Sequence, residues 1–322
     1  MRQGLVSVPG QFHPVDLDGL VLDTVLDFNL YLAAGPDHYV LFRSHHREFT
    51  ARHRTRLLDN GVHTLFVRGD ERGQYTRYLE QHLDTLLASP EVPTPKKANL
   101  LYKVSRSVVQ EAFTEPRSQT IVPRTKRLAT ETVDFVLKSD RAVGQLARIM
   151  STDYYTYTHS INVCVFVVSL AHHAGVSRAD VADLAVGALL HDLGKSQIPK
   201  DLLTRDGPLS EAEMEVMRSH VLAGERLLAS HGGLSPTAMV AVSQHHEKLD
   251  GSGYPRALSG DALHLFGRIT AIADVFDAMT TNRSYQRAMT AFDALNRMKT
   301  ALEDKFDQEL LRTFIMMLRS PV

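Results

Sequence analysis

Apolar positions along the chain follow two rhythms. Up to about residue 90 they come in short runs separated by turn-forming residues; beyond that they recur at helical spacing. In the first part, residues 24–32 (TVLDFNLYL) alternate in part and read as a strand. Ala34-Gly35-Pro36-Asp37 reads as a turn and residues 38–42 as a second strand, which predicts a hairpin. A helix over residues 49–58 is expected to stop at Asn60-Gly61, since glycine reaches the left-handed conformation that ends a helix. Residues 64–67 read as another short strand and residues 74–87 as a helix. The pattern predicts a small α+β unit that carries no catalytic constellation.

The segment Ser89-Pro90-Glu91-Val92-Pro93-Thr94-Pro95 opposes both helix and sheet through its three prolines and reads as a linker. It divides the chain into an accessory or regulatory domain over 1–92 and a helical domain over 93–322. In the latter, Leu100, Leu101, Val104, Val108 and Val109 share a helical face, as do Val133, Val136 and Leu137. Ser210 with Glu213, and Thr290 with Asp293, have the spacing of capping boxes at helix starts. The expected fold class is mainly α, an all-helical C-terminal domain behind a small α+β domain.

Charge and cysteine usage narrow the function classes. The 322 residues carry a formal net charge of -1, which gives no general electrostatic grip on nucleic acid or an anionic membrane. The single cysteine, Cys164, excludes an intrachain disulfide and fits a reducing compartment; it lies in the apolar run 161–170 and reads as core. No signal peptide is legible after Met1. The longest apolar segment, residues 163–171, falls far short of the roughly 20 residues a membrane-crossing helix needs. The expected location is the cytoplasm, with no membrane span and no nucleic-acid polymer as partner.

The sixteen histidines change the picture, because several stand where apolar, helix-periodic residues surround them. His191-Asp192 closes the apolar helix 181–190, with Gly194 just beyond. An imidazole and a carboxylate together at a helix end can face one metal ion, and the second carboxylate oxygen can reach another. His159 lies among Ile161, Val163, Val165 and Phe166. His220 falls in the middle of an expected helix over 210–228, with Gly224 one turn later leaving room for close approach. His245 and His246 end another helix, and Asp274 interrupts the apolar run 269–276, where a charge is costly unless paired or metal-bound. His172, His173, His231 and His264 lie in polar or loop-like surroundings and read as structural.

Two long motif runs carry a family resemblance. His191-Asp192-Leu193-Gly194-Lys195 with Ile198-Pro199, then His220, then residues 245–255 (HHEKLDGSGYP), resemble the HD-GYP family of HD phosphohydrolases. Residues 273–280 (ADVFDAMT) and Arg283-Ser284-Tyr285 also match, and the resemblance spans about residues 125 to 322. It implies a phosphodiesterase that opens cyclic di-GMP to pGpG, with either pGpG or GMP as the end product, using water activated between two divalent ions. Iron or manganese is implied, with zinc as an alternative. The implied ligands are His159, His191 and Asp274 for one ion, His220, His245 and His246 for the other, and Asp192 between them. Asp192 and Lys195 are the implied catalytic residues; Lys195, Arg283 and Tyr285 are the implied substrate contacts. Glu247 and Asp250 are expected to orient the histidine pair through their ring N–H groups. Gly251, Gly253, Tyr254 and Pro255 form a tight loop whose tyrosine either stacks on a base, meets a signalling partner, or pins its own loop.

Two departures from the family pattern bear on function. Tyr155 stands where some members have a glutamate that helps hold a third metal, so two metals are expected. Gln286 replaces a basic residue after Arg283, which keeps open a weakly active receptor that binds a cyclic dinucleotide or a partner protein. The N-terminal unit is expected to regulate the hydrolase or to form a homodimer contact.

Overall fold

The computed structural model describes residues 12–138, 140–150, 156–205, 207–282 and 287–319. Tyr155, Arg283, Tyr285 and Gln286, singled out above, lie outside the described residues. The chain forms two compact units, 1–104 and 105–322.

Among its described residues the N-terminal unit holds six strands: β1 (Phe12–Asp16), β2 (Thr24–Leu26), β3 (Leu30–Gly35), β4 (His38–Arg43), β5 (Arg47–Phe49) and, after helix α1 (Ala51–Asp59), β6 (Thr64–Arg68). Helices α2 (Arg72–Gln81) and α3 (Leu83–Ala88) follow, and then α4 (Thr94–Thr114), within which the two units divide. An antiparallel sheet of order β1-β6-β3-β4 and a separate β2-β5 pair make up the strands. The expected hairpin is β3-β4. The single strand expected over 24–32 is two strands in different sheets. Asn29 sits at the break: its backbone and side-chain amides both donate to Glu71, and its carbonyl accepts from the His45 amide. Leu26, Phe28 and Leu30 remain fully buried across the break. The expected helix over 74–87 likewise divides at His82 into α2 and α3.

The second unit is all-helical among its described residues: α5 (Ile121–Leu137), α6 (Asp140–Ile149), α7 (Thr156–His173), α8 (Arg178–Leu190), α9 (Lys200–Leu203), α10 (Glu211–Arg218), α11 (His220–His231), α12 (Pro236–Gln244), α13 (Leu265–Thr280), α14 (Ala291–Thr300) and α15 (Gln308–Arg319). At its centre α7 packs on α8 and α13, and α8 also packs on α5 and α12. The first two are apolar on nearly every side: residues 158–171 of α7 are all buried, as are residues 184–190 of α8. A helix buried all round is the middle of a core.

Both capping readings hold. Ser210 accepts from the Glu213 amide while Glu213 accepts from the Ser210 amide, and Thr290 accepts from the Asp293 amide. Cys164 is buried in α7 and donates to the Ala185 carbonyl, and burial pushes its thiol up to about 12. Among the described residues no helix is long and apolar enough to cross a membrane.

Candidate metal centre

The ends of α8, α11 and α12 and the flanks of α7 and α13 converge on one cluster. His191 and Asp192 follow the last turn of α8, and a 3-10 turn over Leu193–Gln197 carries Lys195. That turn lies against the start of α11 with almost no gap. A Cβ on Gly194 would fall 1.9 Å from the His220 carbonyl oxygen and 2.5 Å from the Gly224 amide nitrogen. The expectation that Gly224 admits close approach holds, and Gly194 is its partner.

One placement differs. His220 is not in the middle of a helix over 210–228 but at the first position of α11, after α10 has ended at Arg218. Ser219 separates the two helices, its hydroxyl bonded back to the Val216 carbonyl. A ring at a helix start is free to turn inward where a mid-helix ring is set by its row.

All seven residues singled out as ligands meet here. His220 Nε2 lies 3.3 Å and His245 Nε2 3.8 Å from Asp192 Oδ1; His191 Nε2 lies 3.5 Å and His159 Nε2 3.8 Å from Asp192 Oδ2. Asp274 reaches both sides, with Oδ1 3.0 Å from His159 Nε2 and Oδ2 3.4 Å from His246 Nδ1. Two donor groups result, His159–His191–Asp192 and Asp192–His220–His245–His246, with donor atoms within 4.8 Å of one another in each group. Asp192 is common to both.

The ring nitrogens show which atoms are left to bind. His191, His220 and His245 each turn Nδ1 to the carbonyl three residues back, those of Ala188, Met217 and Val242, at 2.7, 2.7 and 2.9 Å. A carbonyl only accepts, so Nδ1 carries the proton and Nε2 of a neutral ring presents a lone pair. Asp277 Oδ2 does the same for His159 Nδ1 at 2.7 Å. His220 Nε2 and His245 Nε2 then face each other as two acceptors 3.3 Å apart. His191 Nε2 and Asp192 Oδ1 are buried with no hydrogen-bond partner. Buried lone pairs left in this state are costly unless something electropositive lies between them, and a mixed imidazole–carboxylate set suits a transition metal. The donor set fits divalent metal.

Charge around the cluster is arranged for this. Burial holds His245 and His246 well below the ordinary imidazole range, and their histidine neighbours push the same way. Burial would raise the carboxyls of Asp192 and Asp274, yet both are driven well below the usual carboxylate range. Lys195, His191 and His220 do so for Asp192; His159 and His246 do so for Asp274. Lys195 Nζ lies 2.6 Å from Asp192 Oδ2. His245 and His246 are thus held neutral and Asp192 and Asp274 ionised, the forms that bind metal.

A pH dependence follows. Below the unfolded value of about 6.5 the unfolded chain takes up protons that the folded His245 and His246 refuse, so the metal-free protein loses stability as pH falls. The slope is up to about 1.4 kcal/mol per pH unit for each ring. Urea denaturation at pH 7 and pH 5 is expected to show a lower midpoint at pH 5, and a His246→Asn variant a shallower dependence.

Asp277 and Asn162 were not singled out from the sequence. Asp277 is buried, accepts from His159 Nδ1, and accepts from Asn162 Nδ2 at 2.9 Å. Its position three residues after Asp274 on α13 puts the two carboxylates on one face, which is the signal that would have found it. Removing the partner that aims a ligand ring typically costs 10–100-fold in metal affinity. Asp277→Ala is therefore expected to weaken manganese binding by about that factor, read by metal titration, with Asp277→Asn recovering part of it because an amide oxygen still accepts.

The glycine-rich loop is arranged differently from expectation. Glu247 is fully buried and does not orient the histidines; its carboxylate accepts from the Arg256 and Leu258 amides at 2.7 and 2.9 Å and so folds the loop back on itself. Asp250 is exposed and accepts from the amide and hydroxyl of Ser252. His245 already bonds the Val242 carbonyl of its own helix and His246 turns Nδ1 toward Asp274, which leaves these acids free for the loop. A Cβ on Gly253 would meet the backbone of residues 246–248 at 2.4–2.6 Å, so only glycine fits, and Gly251 needs its φ of +77°. Pro255 lies between Tyr254 and the latched Arg256. Arg256 also pairs with Glu225 of α11 at 2.8 Å. The Tyr254 ring lies over His246, centroids 4.6 Å apart, with the Arg218 guanidinium 5.7 Å from its centre. Of the histidines read as structural, His173 and His231 bond carbonyls one turn back, and His264 caps α13.

Comparison with known proteins bears on the whole unit. A family model described as HD domain matches residues 130–310. The chain belongs to the HD domain family. The HD-GYP resemblance read from the motif runs is borne out among its relatives. The cyclic di-GMP phosphodiesterase PA4108 of Pseudomonas aeruginosa is 31% identical over 222 residues, 68% of this chain and 53% of that protein. The response regulator RpfG of Xanthomonas campestris, also named a cyclic di-GMP phosphodiesterase, is 42% identical over 39% of this chain and 34% of its own length. The 3'3'-cGAMP-specific phosphodiesterase 3 of Vibrio cholerae is 40% identical over 48% of this chain and 34% of its own. The chain thus spans about half or less of these relatives. In fold it is similar to Bd1817, an HDG"Y"P protein from Bdellovibrio bacteriovorus, with a TM-score of 0.69 and 20% identity over 96% of this chain and 100% of that one.

Proposed function

We propose that this HD-domain protein is a metal-dependent phosphodiesterase that opens cyclic di-GMP to pGpG, with either pGpG or GMP as the end product. The observation that carries the reading is the pair of donor groups sharing Asp192, with unprotonated imidazole nitrogens facing inward. Two divalent ions, iron or manganese with zinc as the alternative, would supply Lewis acidity and lower the pKa of an attacking water. His159, His191 and Asp274 would hold one; His220, His245 and His246 the other; Asp192 both.

The remaining roles belong to the chain itself. Lys195, only 14% exposed, keeps its ammonium beside Asp192, where it can meet charge growing on a phosphoryl oxygen. Asp277 holds the His159 ring in its binding tautomer. Tyr254 covers His246 and narrows the solvent approach to the one ligand ring that keeps appreciable exposure. Arg283 and Tyr285 are assigned to the substrate on the motif match alone. The outward residues Ser252, Arg256 and Ala257 are where a signalling partner would meet the loop, and a homodimer contact is assigned to the N-terminal unit. The buried lone cysteine fits a cytoplasmic setting.

A second reading keeps the chemistry and changes the substrate to 3'3'-cGAMP. It rests on the 40% identity to a relative named for that dinucleotide. Turnover of the two dinucleotides should be compared on protein loaded anaerobically with iron or manganese, with products separated by chromatography. A higher kcat/KM for cyclic di-GMP supports the first reading and a higher value for 3'3'-cGAMP the second. No hydrolysis of either, with two metals bound, would leave the protein a receptor.

A further inference from the structure

Charged groups of the N-terminal unit meet at a cleft that plays no part in the chemistry above. Its cavity is about 290 Å³, lined among others by Asp16, Asp18, Tyr75, Lys96, Asn99 and Lys103. That volume stands at the lower end of the roughly 300–1,000 Å³ typical of small-molecule sites.

The two carboxylates are already neutralised. Lys96 bonds both, and Arg54 bonds Asp18 at 2.9 Å while also holding Glu91 at 2.8 Å. The other wall is not balanced. The Lys103 ammonium lies over the Tyr75 ring, 4.5 Å from its centre, and no carboxylate pairs with it among the described residues. Arg72 stands on α2 one turn before Tyr75 and outside the lining of the cleft. Burial first, and then Arg72, lower the Lys103 pKa, and Asp16 offsets only part of this.

Tyr75 supplies the second, independent observation. It is 2% exposed, yet its hydroxyl has no hydrogen-bond partner among the described residues. Burial raises its pKa, with Asp16 and Tyr78 adding to the effect, so the phenol keeps its proton and can donate. Tyr75 lines the cleft, so a hydroxyl without a protein acceptor is available to donate to a ligand there.

An ammonium that no carboxylate pairs with and a phenol hydroxyl without a protein partner among the described residues, on one cavity whose two carboxylates are already held by Lys96 and Arg54, select negative charge. We propose that this cleft binds a small organic anion through a carboxylate or phosphate group, with Lys103 neutralising it and Tyr75 donating to it. The site is separate from the metal centre in composition and chemistry, and the inference stands whatever the hydrolase acts on.

Calorimetric titration of the full chain with succinate, citrate and inorganic phosphate, against chloride at equal ionic strength, tests this. At least one probe is expected to bind saturably. Lys103→Met should weaken it by about 10-fold or more, as for loss of a charged hydrogen bond, and Tyr75→Phe by about 3–10-fold. Binding of the carboxylates alone or of phosphate alone would name the group recognised. Asp192→Asn should leave the binding unchanged, because phosphate held at the metal centre would disappear with that carboxylate. The proposal is overturned if no probe exceeds chloride, if both cleft variants bind like the wild type, or if Asp192→Asn abolishes the signal. Thermal melting of Tyr75→Phe, which removes one oxygen, checks that the fold survives.

Discussion

Asp192→Asn is expected to reduce cyclic dinucleotide turnover by at least about 10³-fold, and to reduce bound metal from two ions per chain to one or none. The substitution is nearly isosteric, so the loss comes from chemistry and not from packing. Asp192 is the only residue common to both donor groups: one oxygen faces His220 and His245, the other His191, His159 and Lys195. An amide replaces one of those oxygens with a donor NH₂, which faces ring lone pairs and cannot bind a cation. Whichever way the amide turns, one group loses its oxygen. Metal content by mass spectrometry and turnover by chromatography read the two effects separately. A variant that keeps both ions and more than a tenth of its activity would remove Asp192 from the bridging position.

Gly194→Ala should cost about 3 kcal/mol or more in stability and detach His220 from the cluster. The added methyl would lie 1.9 Å from a carbonyl oxygen and 2.5 Å from an amide nitrogen, both backbone atoms of α11. Backbone cannot rotate aside as a side chain does, so the 3-10 turn and the start of α11 must separate. His220 is the first residue of that helix and moves with it, taking the Nε2 that faces Asp192 and His245. Thermal unfolding of the metal-free variant reports the packing cost, and metal stoichiometry reports the lost ligand. Wild-type values in both would show that the two elements part more easily than their contact suggests.

These residues also show how far a sequence can be read. His191-Asp192 and the run from His245 to Pro255 were legible because their chemistry is contiguous and their neighbours are helix-periodic. His220 reads as a candidate ligand and lies in the cluster, but its place at a helix start is not legible, since the break depends on Ser219 bonding backward and not on any proline or glycine. Glu247 was assigned to the histidines because it adjoins them. Its actual partners are amides nine and eleven residues on, which become neighbours only after the loop has turned. Asp277 is not legible as a partner of His159, because the two are 118 residues apart and meet only when α13 packs on α7. The division of residues 24–32 between two sheets follows from Asn29 bonding to Glu71 and His45, and no local periodicity encodes contacts of that range.

The bonds from His191, His220 and His245 to carbonyls three residues back have a consequence for the order of assembly. Each ring is aimed by its own stretch of chain and points correctly as soon as that helix end has formed. His159 and His246 are the exceptions: the carboxylate that aims His159 belongs to Asp277, 118 residues away, and His246 turns Nδ1 toward Asp274. Three rings are thus set locally, while these two wait for α13 to dock. In a folding chain the rings of His191, His220 and His245 would be aimed first, and those of His159 and His246 last.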